Sequence, residues 1–152
     1  MTYQEIIDHL PYSKPFHFVD ELLHVDSDGV EGSYCFDLSL QFYEGHFKSN
    51  PVTPGVILTE CCAQIGLVCL GIHLLAQEGL DNGFKSLQVA FTSSEMEFLL
   101  PVFPGETVKV TSKKEYFRFN KLKCQVRMFN AKEELVCKGT LAGMFKTAEH
   151  VG

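Results

Sequence analysis

The residue that most invites a chemical interpretation is Glu60, a carboxyl group inside the most apolar stretch of the chain. Apolar residues between Pro54 and Ile72 lie on every face of a helix, which is typical of a helix enclosed by protein. A carboxyl group placed there loses its hydration, so it must be paired, protonated or used in chemistry. The preceding loop can return His46 towards that carboxyl group. A histidine and a buried carboxyl group facing one cavity would form an acid/base pair.

Two neighbours of Glu60 could complete such a site. Gly55 lies in the first turn of the helix, where backbone N–H groups lack helical partners and the helix dipole is positive. Glycine permits close approach of a ligand, and its N–H can stabilise a developing oxyanion. Gln64 follows Glu60 by one helical turn, so it faces the same side and can steady the carboxyl group or a water molecule.

The composition is that of one globular domain, expected to occupy residues 1–152. Hydrophobic residues make up 45% and charged residues 21%, which excludes a disordered chain. A net charge of −6 argues against nucleic acid, which is bound through accumulated Lys and Arg. A local basic patch could still bind an acidic protein. The densest set of cations is Lys113, Lys114, Arg118, Lys121 and Lys123.

The six cysteines form no CxxC pair and accompany no histidine cluster, so neither a disulfide framework nor a metal site is expected. The residue pattern also calls for no cofactor. Reduced thiols and the lack of a signal peptide indicate the cytoplasm. A membrane span needs about 20 apolar residues. No span is expected, because polar side chains interrupt the apolar stretch at Glu60, Gln64, His73 and Gln77.

The elements that must position these residues follow a simple order. Residues 16–25 and 30–38 predict a β-hairpin, and one long helix should run from Pro54, capped by Thr53, to about Gln77. Further strands, joined as an antiparallel meander, are predicted at residues 85–99, 106–119, 122–130 and 135–145. A helix that is apolar all round needs cover on every side. The chain therefore predicts an α+β hot-dog fold, in which an antiparallel sheet wraps around one long central helix.

Several segments also resemble one known family, the hot-dog 3-hydroxyacyl-ACP dehydratases. The opening segment from Leu10 to Phe16, followed by Val19-Asp20, resembles the start of the family. The family's active-site signature is similar to Gly45-His46-Phe47, Pro51 to Val56, Glu60 and Ala63-Gln64, with the same spacing between His46 and Glu60. The turn from Pro101 to Glu106 is similar to the one that opens the late strands of the family.

The chain departs from the family pattern in two places. Acidic residues between Ser94 and Phe98 stand where the family usually has a basic residue. The tripeptide Lys48-Ser49-Asn50 replaces a Pro-Gly-small sequence in the loop. Both departures bear on acyl-chain preference and partner docking more than on the chemistry.

The resemblance implies an enzyme that dehydrates a 3-hydroxyacyl thioester, carried by an acyl carrier protein, to the trans-2-enoyl thioester. His46 would remove the C2 proton, Glu60 would protonate the departing C3 hydroxyl, and the Gly55 N–H would stabilise the enolate oxygen. An alternative division has His46 and Glu60 jointly holding that hydroxyl. Glutamate at position 60 resembles the branch without isomerase activity. Both bulk fatty-acid synthesis and a dedicated pathway such as polyene assembly remain open.

The resemblance further implies a homodimer with shared active sites, with a trimer of dimers as the larger alternative. The histidine would come from one subunit and the glutamate from the other. An acyl tunnel would run along the interface, with Phe91, Met96 and Phe98 as its lining. Ordinary core packing would explain these three side chains equally well.

Two other functions are compatible with the same residues. A hot-dog thioesterase would use Glu60 to activate water at the thioester, since one fold can host several activities. A non-catalytic acyl-thioester-binding protein, or the partner subunit of a heterodimeric dehydratase, is the second alternative. The presence of both His46 and Glu60 favours a dehydratase.

Overall fold

The computed structural model describes residues 1–147 of the chain. Its main elements are α1 (Tyr3–Asp8), β1 (Glu21–Val25), β2 (Gly29–Cys35), α2 (Gly55–Gln77), β3 (Gln88–Phe98), β4 (Thr107–Arg118), β5 (Lys121–Phe129) and β6 (Leu135–Lys146). Short 3₁₀ helices precede α2 at Gln41–Glu44 and follow it at Asp81–Ser86.

The six strands form one antiparallel sheet in the order β1-β2-β4-β5-β6-β3. The predicted meander holds for β4, β5 and β6 only. β3 pairs with β6 rather than with β4, its successor in the chain, and lies at the edge of the sheet. The connection after β3 is fixed by the N–H groups of Leu99 and Leu100, which both donate to the carbonyl of Val136. This crossover places β3 beside the start of α2.

Helix α2 is the core of the molecule, and the sheet covers it as the hot-dog prediction requires. Buried side chains of the strands face it, including Val108, Val110, Leu122, Cys124, Val126 and Met128. The helix has the length and hydropathy of a membrane span, but 72% of its most apolar window is buried within the protein. Its position is therefore that of a core helix.

The middle of α2, Gln64–Cys69, widens into a π-helical segment. A Cβ atom added to Gly66 would lie only 2.8 Å from Val126 Cγ1 and 3.0 Å from Ser112 Cβ. Ser112 Oγ donates to the Gly66 carbonyl at 2.8 Å. Glycine at this position therefore lets the helix approach the sheet closely. Such π-helical segments frequently occur at functional sites.

Two local predictions were wrong. The first strand begins at Glu21 rather than Phe16, because the backbone at Phe16 and Phe18 bonds to the side chain of Gln64 instead of to a neighbouring strand. Thr53 does not cap α2, since its hydroxyl is engaged with Tyr43 Oη at 2.5 Å. Pro54 is the N-cap residue in extended conformation, and Gly55 is the first helical residue.

Candidate active site

Glu60 lies in the second turn of α2 and is half-buried. Burial raises the pKa of its carboxyl group, and the hydrogen bond from Gln64 opposes that rise. The raised pKa follows from the apolar surroundings, because desolvation disfavours the charged form. Glu60 is thus suited to carry a proton nearer neutral pH than an ordinary glutamate, as a general acid must.

Gln64 fixes the orientation of that carboxyl group. Its side chain is fully buried, and its Oε1 accepts a hydrogen bond from Phe18 N at 2.7 Å. Its Nε2 donates to Phe16 O at 3.1 Å and to Glu60 Oε2 at 3.2 Å. An amide nitrogen can only donate, so Oε2 acts as an acceptor. A proton on the Glu60 carboxyl group is therefore placed on Oε1, the oxygen left for a ligand.

His46 lies in the loop that follows the 3₁₀ helix Gln41–Glu44. Its Nδ1 is 2.9 Å from the carbonyl oxygen of Val52, and Val52 N donates back to the His46 carbonyl at 2.9 Å. Because a carbonyl oxygen only accepts, Nδ1 must carry the proton in the neutral ring. This tautomer leaves a lone pair on Nε2, for which residues 1–147 supply no hydrogen-bond partner. Nε2 is therefore available as a base.

The structure does not join His46 and Glu60 directly within one chain. Across the described residues, no hydrogen bond links the two side chains, and Glu60 has Gln64 as its side-chain partner. The ring of His46 instead stacks on exposed Phe47, with ring centroids 4.0 Å apart. The expectation that the loop returns this imidazole towards Glu60 therefore stays a prediction.

Gly55 is the first residue of α2, the position that the predicted oxyanion role needs. Its N–H has no hydrogen-bond partner in the described part of the chain, as expected for the first residue of a helix. The ring of Phe98 covers one side of it, since an added Cβ would lie 3.4 Å from Phe98 Cζ. Beside this contact is a cleft of about 310 Å³, lined by Thr53, Gly55, Leu58, Phe98, Leu99, Leu100 and Pro101.

The three expected tunnel residues, Phe91, Met96 and Phe98, share the helix-facing side of β3. Phe91 and Phe98 are seven residues apart, so an unbroken strand would point them to opposite faces. An irregularity in the β3–β6 register between Phe91 and Ser93 brings them to the same face. Phe91 and Phe98 are 47% and 48% exposed in the single chain. Further exposed apolar side chains of the single chain include Val56, Leu99, Leu100 and Phe103.

The sequence reasoning missed Tyr12. Burial, followed by the charge of Glu60, raises the pKa of Tyr12 to about 12. Its phenol therefore stays neutral near neutral pH. Its ring pairs with Phe16 at a centroid distance of 6.2 Å, and Gln64 holds Phe16 O. The segment containing Tyr12 was recognised from its Leu-Pro opening, but only the contacts of Gln64 bring that segment to Glu60.

The sequence of the chain matches a known protein family. A family model described as a FabA-like domain matches residues 10–142. A 3-hydroxyacyl-[acyl-carrier-protein] dehydratase of Ehrlichia canis is 29% identical over 151 residues, covering 96% of each chain. A second dehydratase of that name, from Geobacter metallireducens, is 31% identical over 108 residues, covering 70% of this chain and 68% of its own.

Solved structures show the same fold at low sequence identity. The dehydratase heterocomplex ApeI:P from Xenorhabdus doucetiae superposes with a TM-score of 0.79 at 10% identity, covering 95% of this chain and 93% of that one. A thioesterase from Haemophilus influenzae gives a TM-score of 0.68 at 18% identity, covering 100% and 96%. These likenesses support the hot-dog fold alone, because one fold hosts several activities. The family model matches residues 10–142, and the curated proteins similar to this chain are dehydratases. The chain is therefore an enzyme that belongs to the FabA-like family.

Proposed function

We propose that the protein removes water from a 3-hydroxyacyl thioester bound to an acyl carrier protein, giving the trans-2-enoyl thioester. The observation that carries the proposal is the hydrogen bonding of two side chains, which suits one to accept a proton and the other to donate one. His46 has a free lone pair on Nε2, whereas Glu60 has a raised pKa and its proton directed to Oε1. Elimination of water needs one base and one acid, and this pair supplies both.

In the proposed mechanism, His46 Nε2 accepts the proton from C2 of the substrate. The electron pair of that C–H bond moves towards the thioester carbonyl, where the Gly55 N–H stabilises the enolate oxygen. As the C2–C3 double bond forms, the C3–O bond breaks and Glu60 Oε1 protonates the departing hydroxyl to give water. The imidazolium and carboxylate that remain return to their starting states by proton exchange. In the alternative division, both side chains hold the C3 hydroxyl.

The catalytic pair would be completed across a homodimer, with His46 from one subunit and Glu60 from the other. Support comes from β3, an edge strand whose outer side has no partner among the described strands. Exposed Phe91 and Phe98 lie along it, and Phe98 also lines the cleft at Gly55. A second copy pairing along this edge would bury that apolar surface and satisfy its backbone groups. Phe91, Met96 and Phe98 would then line the acyl tunnel.

The proposed pathway is fatty-acid or polyene-type synthesis, and the proposed compartment is the cytoplasm. Fatty-acid and polyene-type synthesis both present the same 3-hydroxyacyl group to this site, so acyl-chain length decides between them. The free cysteines favour the reducing cytoplasm. Measuring the mass of the native assembly separates a homodimer from a trimer of dimers.

The decisive experiment is incubation of the purified protein with a 3-hydroxyacyl pantetheine thioester, followed by mass spectrometry of the products. We expect the trans-2-enoyl thioester. A free thiol would identify a thioesterase, and binding without turnover would identify a non-catalytic module. A cis-3-enoyl product formed at a comparable rate would contradict the expectation that the enzyme lacks isomerase activity.

A further inference from the structure

The cations of this acidic chain are concentrated on one part of the fold. Of its 13 Lys and Arg residues, ten lie between Lys109 and Lys146. Residues 49–84 and 86–108, which include Gly55, Glu60 and all of β3, contain none. An acidic partner therefore finds few cations beside the candidate active site, and its electrostatic contacts must be made elsewhere.

Strand register places most of these cations on the outer side of the sheet, away from α2. Buried Leu122, Cys124, Val126 and Met128 define the helix-facing side of β5, so the alternate positions face outwards. This outer cationic face consists of Lys109, Lys113, Arg118, Lys121, Lys123, Arg127 and Lys138. Lys114 does not belong to it, because it pairs with buried Cys124. Lys123 is partly neutralised by Glu115 at 3.6 Å.

The tip of the β4–β5 hairpin has three features that are unfavourable in a protein with no partner bound there. Arg118 and Lys121 are directly opposite in the register, and like charges in that arrangement destabilise a sheet. Phe119 is 91% exposed. Its φ of 52° lies in the left-handed region, which is unfavourable for a bulky side chain. Aromatic and Arg residues are the types enriched in protein interfaces.

The tip is nevertheless held in place. Phe145 N donates to the Asn120 carbonyl at 2.9 Å, which ties the turn to β6. The guanidinium of Arg118 lies over the ring of Tyr116, 4.5 Å from its centroid. A rigid tip presents Arg118, Phe119 and Lys121 at little entropic cost of ordering on binding.

From these observations we infer that Arg118, Phe119 and Lys121 dock the acidic carrier protein that delivers the thioester. The inference rests on the proposed function, because the carrier is the acidic protein that this reaction requires. Charge complementarity selects it: the hairpin tip is cationic in a chain of net charge −6.

The proposed dimer brings this tip within reach of a site. Lys121 pairs with Met144, which pairs with Ala90 near the start of β3. A two-fold axis through the β3 edge makes the two copies antiparallel, so the start of β3 in one subunit meets its end in the partner. The hairpin tip then lies a few strand spacings, each about 4.8 Å, from the partner subunit's Phe98. The flexible arm of a carrier can span such a separation.

The test compares carrier-linked with pantetheine-linked substrate. We expect the double variant Arg118→Glu/Lys121→Glu to lower kcat/KM for carrier-linked substrate about tenfold or more, and Phe119→Ala to lower it about threefold to tenfold. Both variants should leave turnover of the short pantetheine thioester unchanged. Raising the salt concentration should weaken carrier-linked turnover by the wild type more than by the double variant. The control variant Lys85→Glu/Lys132→Glu makes the same charge change at two exposed sites away from the tip and should behave as wild type.

Equal losses on both substrates, or equal losses in the control variant, would overturn the docking site. Unchanged carrier-linked turnover in the double variant would overturn it as well. A direct binding titration with fluorescently labelled holo-carrier separates this inference from the proposed reaction. If the wild type dehydrates neither substrate, the reaction fails, while docking stands only if the carrier binds the wild type and not the double variant.

Discussion

Glu60 and His46 are the two candidate catalytic side chains, and they are positioned in different ways. Glu60 lies on the core helix and is held by Gln64. The other hydrogen bonds of Gln64 reach Phe18 and Phe16, which precede it in the sequence by 46 and 48 positions. His46 is held by Val52, six positions away, in a partly exposed loop. Glu60 is therefore fixed by the tertiary fold, and His46 by its own loop. The structure shows no hydrogen bond between them in one chain, which fits a site completed by a second subunit.

The strongest test of this contrast is Glu60→Gln. The substitution keeps the side-chain volume but removes the transferable proton, so turnover should fall about 10²–10⁴-fold, the usual contribution of general acid catalysis. Steady-state kinetics and circular dichroism would measure activity and fold. Glu21→Gln makes the same change at an exposed carboxyl group on β1, at the other edge of the sheet, and should be silent. More than about a tenth of wild-type activity in Glu60→Gln would exclude Glu60 as the acid.

Mixing variants tests whether the two side chains act across subunits. His46→Ala alone should lose about 10²-fold or more in turnover, whereas His24→Ala on the surface should not. After subunit exchange with Glu60→Gln, half of the dimers carry one intact site, so about a quarter of wild-type activity should return. If native mass spectrometry confirms subunit exchange and no activity returns, both residues of a site lie on one chain.

Gly55→Ala tests the approach of the thioester to the start of α2. An added Cβ would meet the Phe98 ring at 3.4 Å, a contact that the fold can accommodate. We expect kcat/KM to fall about tenfold to 10²-fold, because small displacements of a bound substrate have effects of this size. The double variant Gly55→Ala/Phe98→Leu distinguishes the cause. Recovery in the double variant would assign the loss to crowding against Phe98 instead of to the substrate.

Gln64→Leu tests the positioning of Glu60 and should have the smallest effect on rate. It leaves Phe18 N and Phe16 O without their partner, so the free energy of unfolding should fall by about 1–3 kcal/mol. Its hydrogen bond lowers the pKa of Glu60, so removing it raises that pKa further. Because the acid works while protonated, the alkaline limb of the kcat/KM profile should move to higher pH. An unchanged limb would contradict the role of Gln64, and Gln125→Leu on the outer face is the matched control.

The sequence alone was sufficient to predict the hot-dog architecture and the family. An all-round apolar helix of this length must be enclosed, and alternating strands are the available cover, so Gly55–Gln77 and the later strands were predicted to within a few residues. The choice of His46, Glu60 and Gly55 also came from local sequence, through residue type and spacing. Their catalytic roles stay predictions.

Only the tertiary structure decided how these residues are connected. The crossover of β3 to β6, the register irregularity that brings Phe91 and Phe98 to one face, and the bonds from Gln64 to Phe16 and Phe18 all join distant parts of the chain. Local periodicity cannot predict such pairings, because a one-residue change of register reverses the face of every later side chain. The long-range bonds of Gln64 hold the backbone of Phe16 and Phe18 beside the helix turn that carries Glu60.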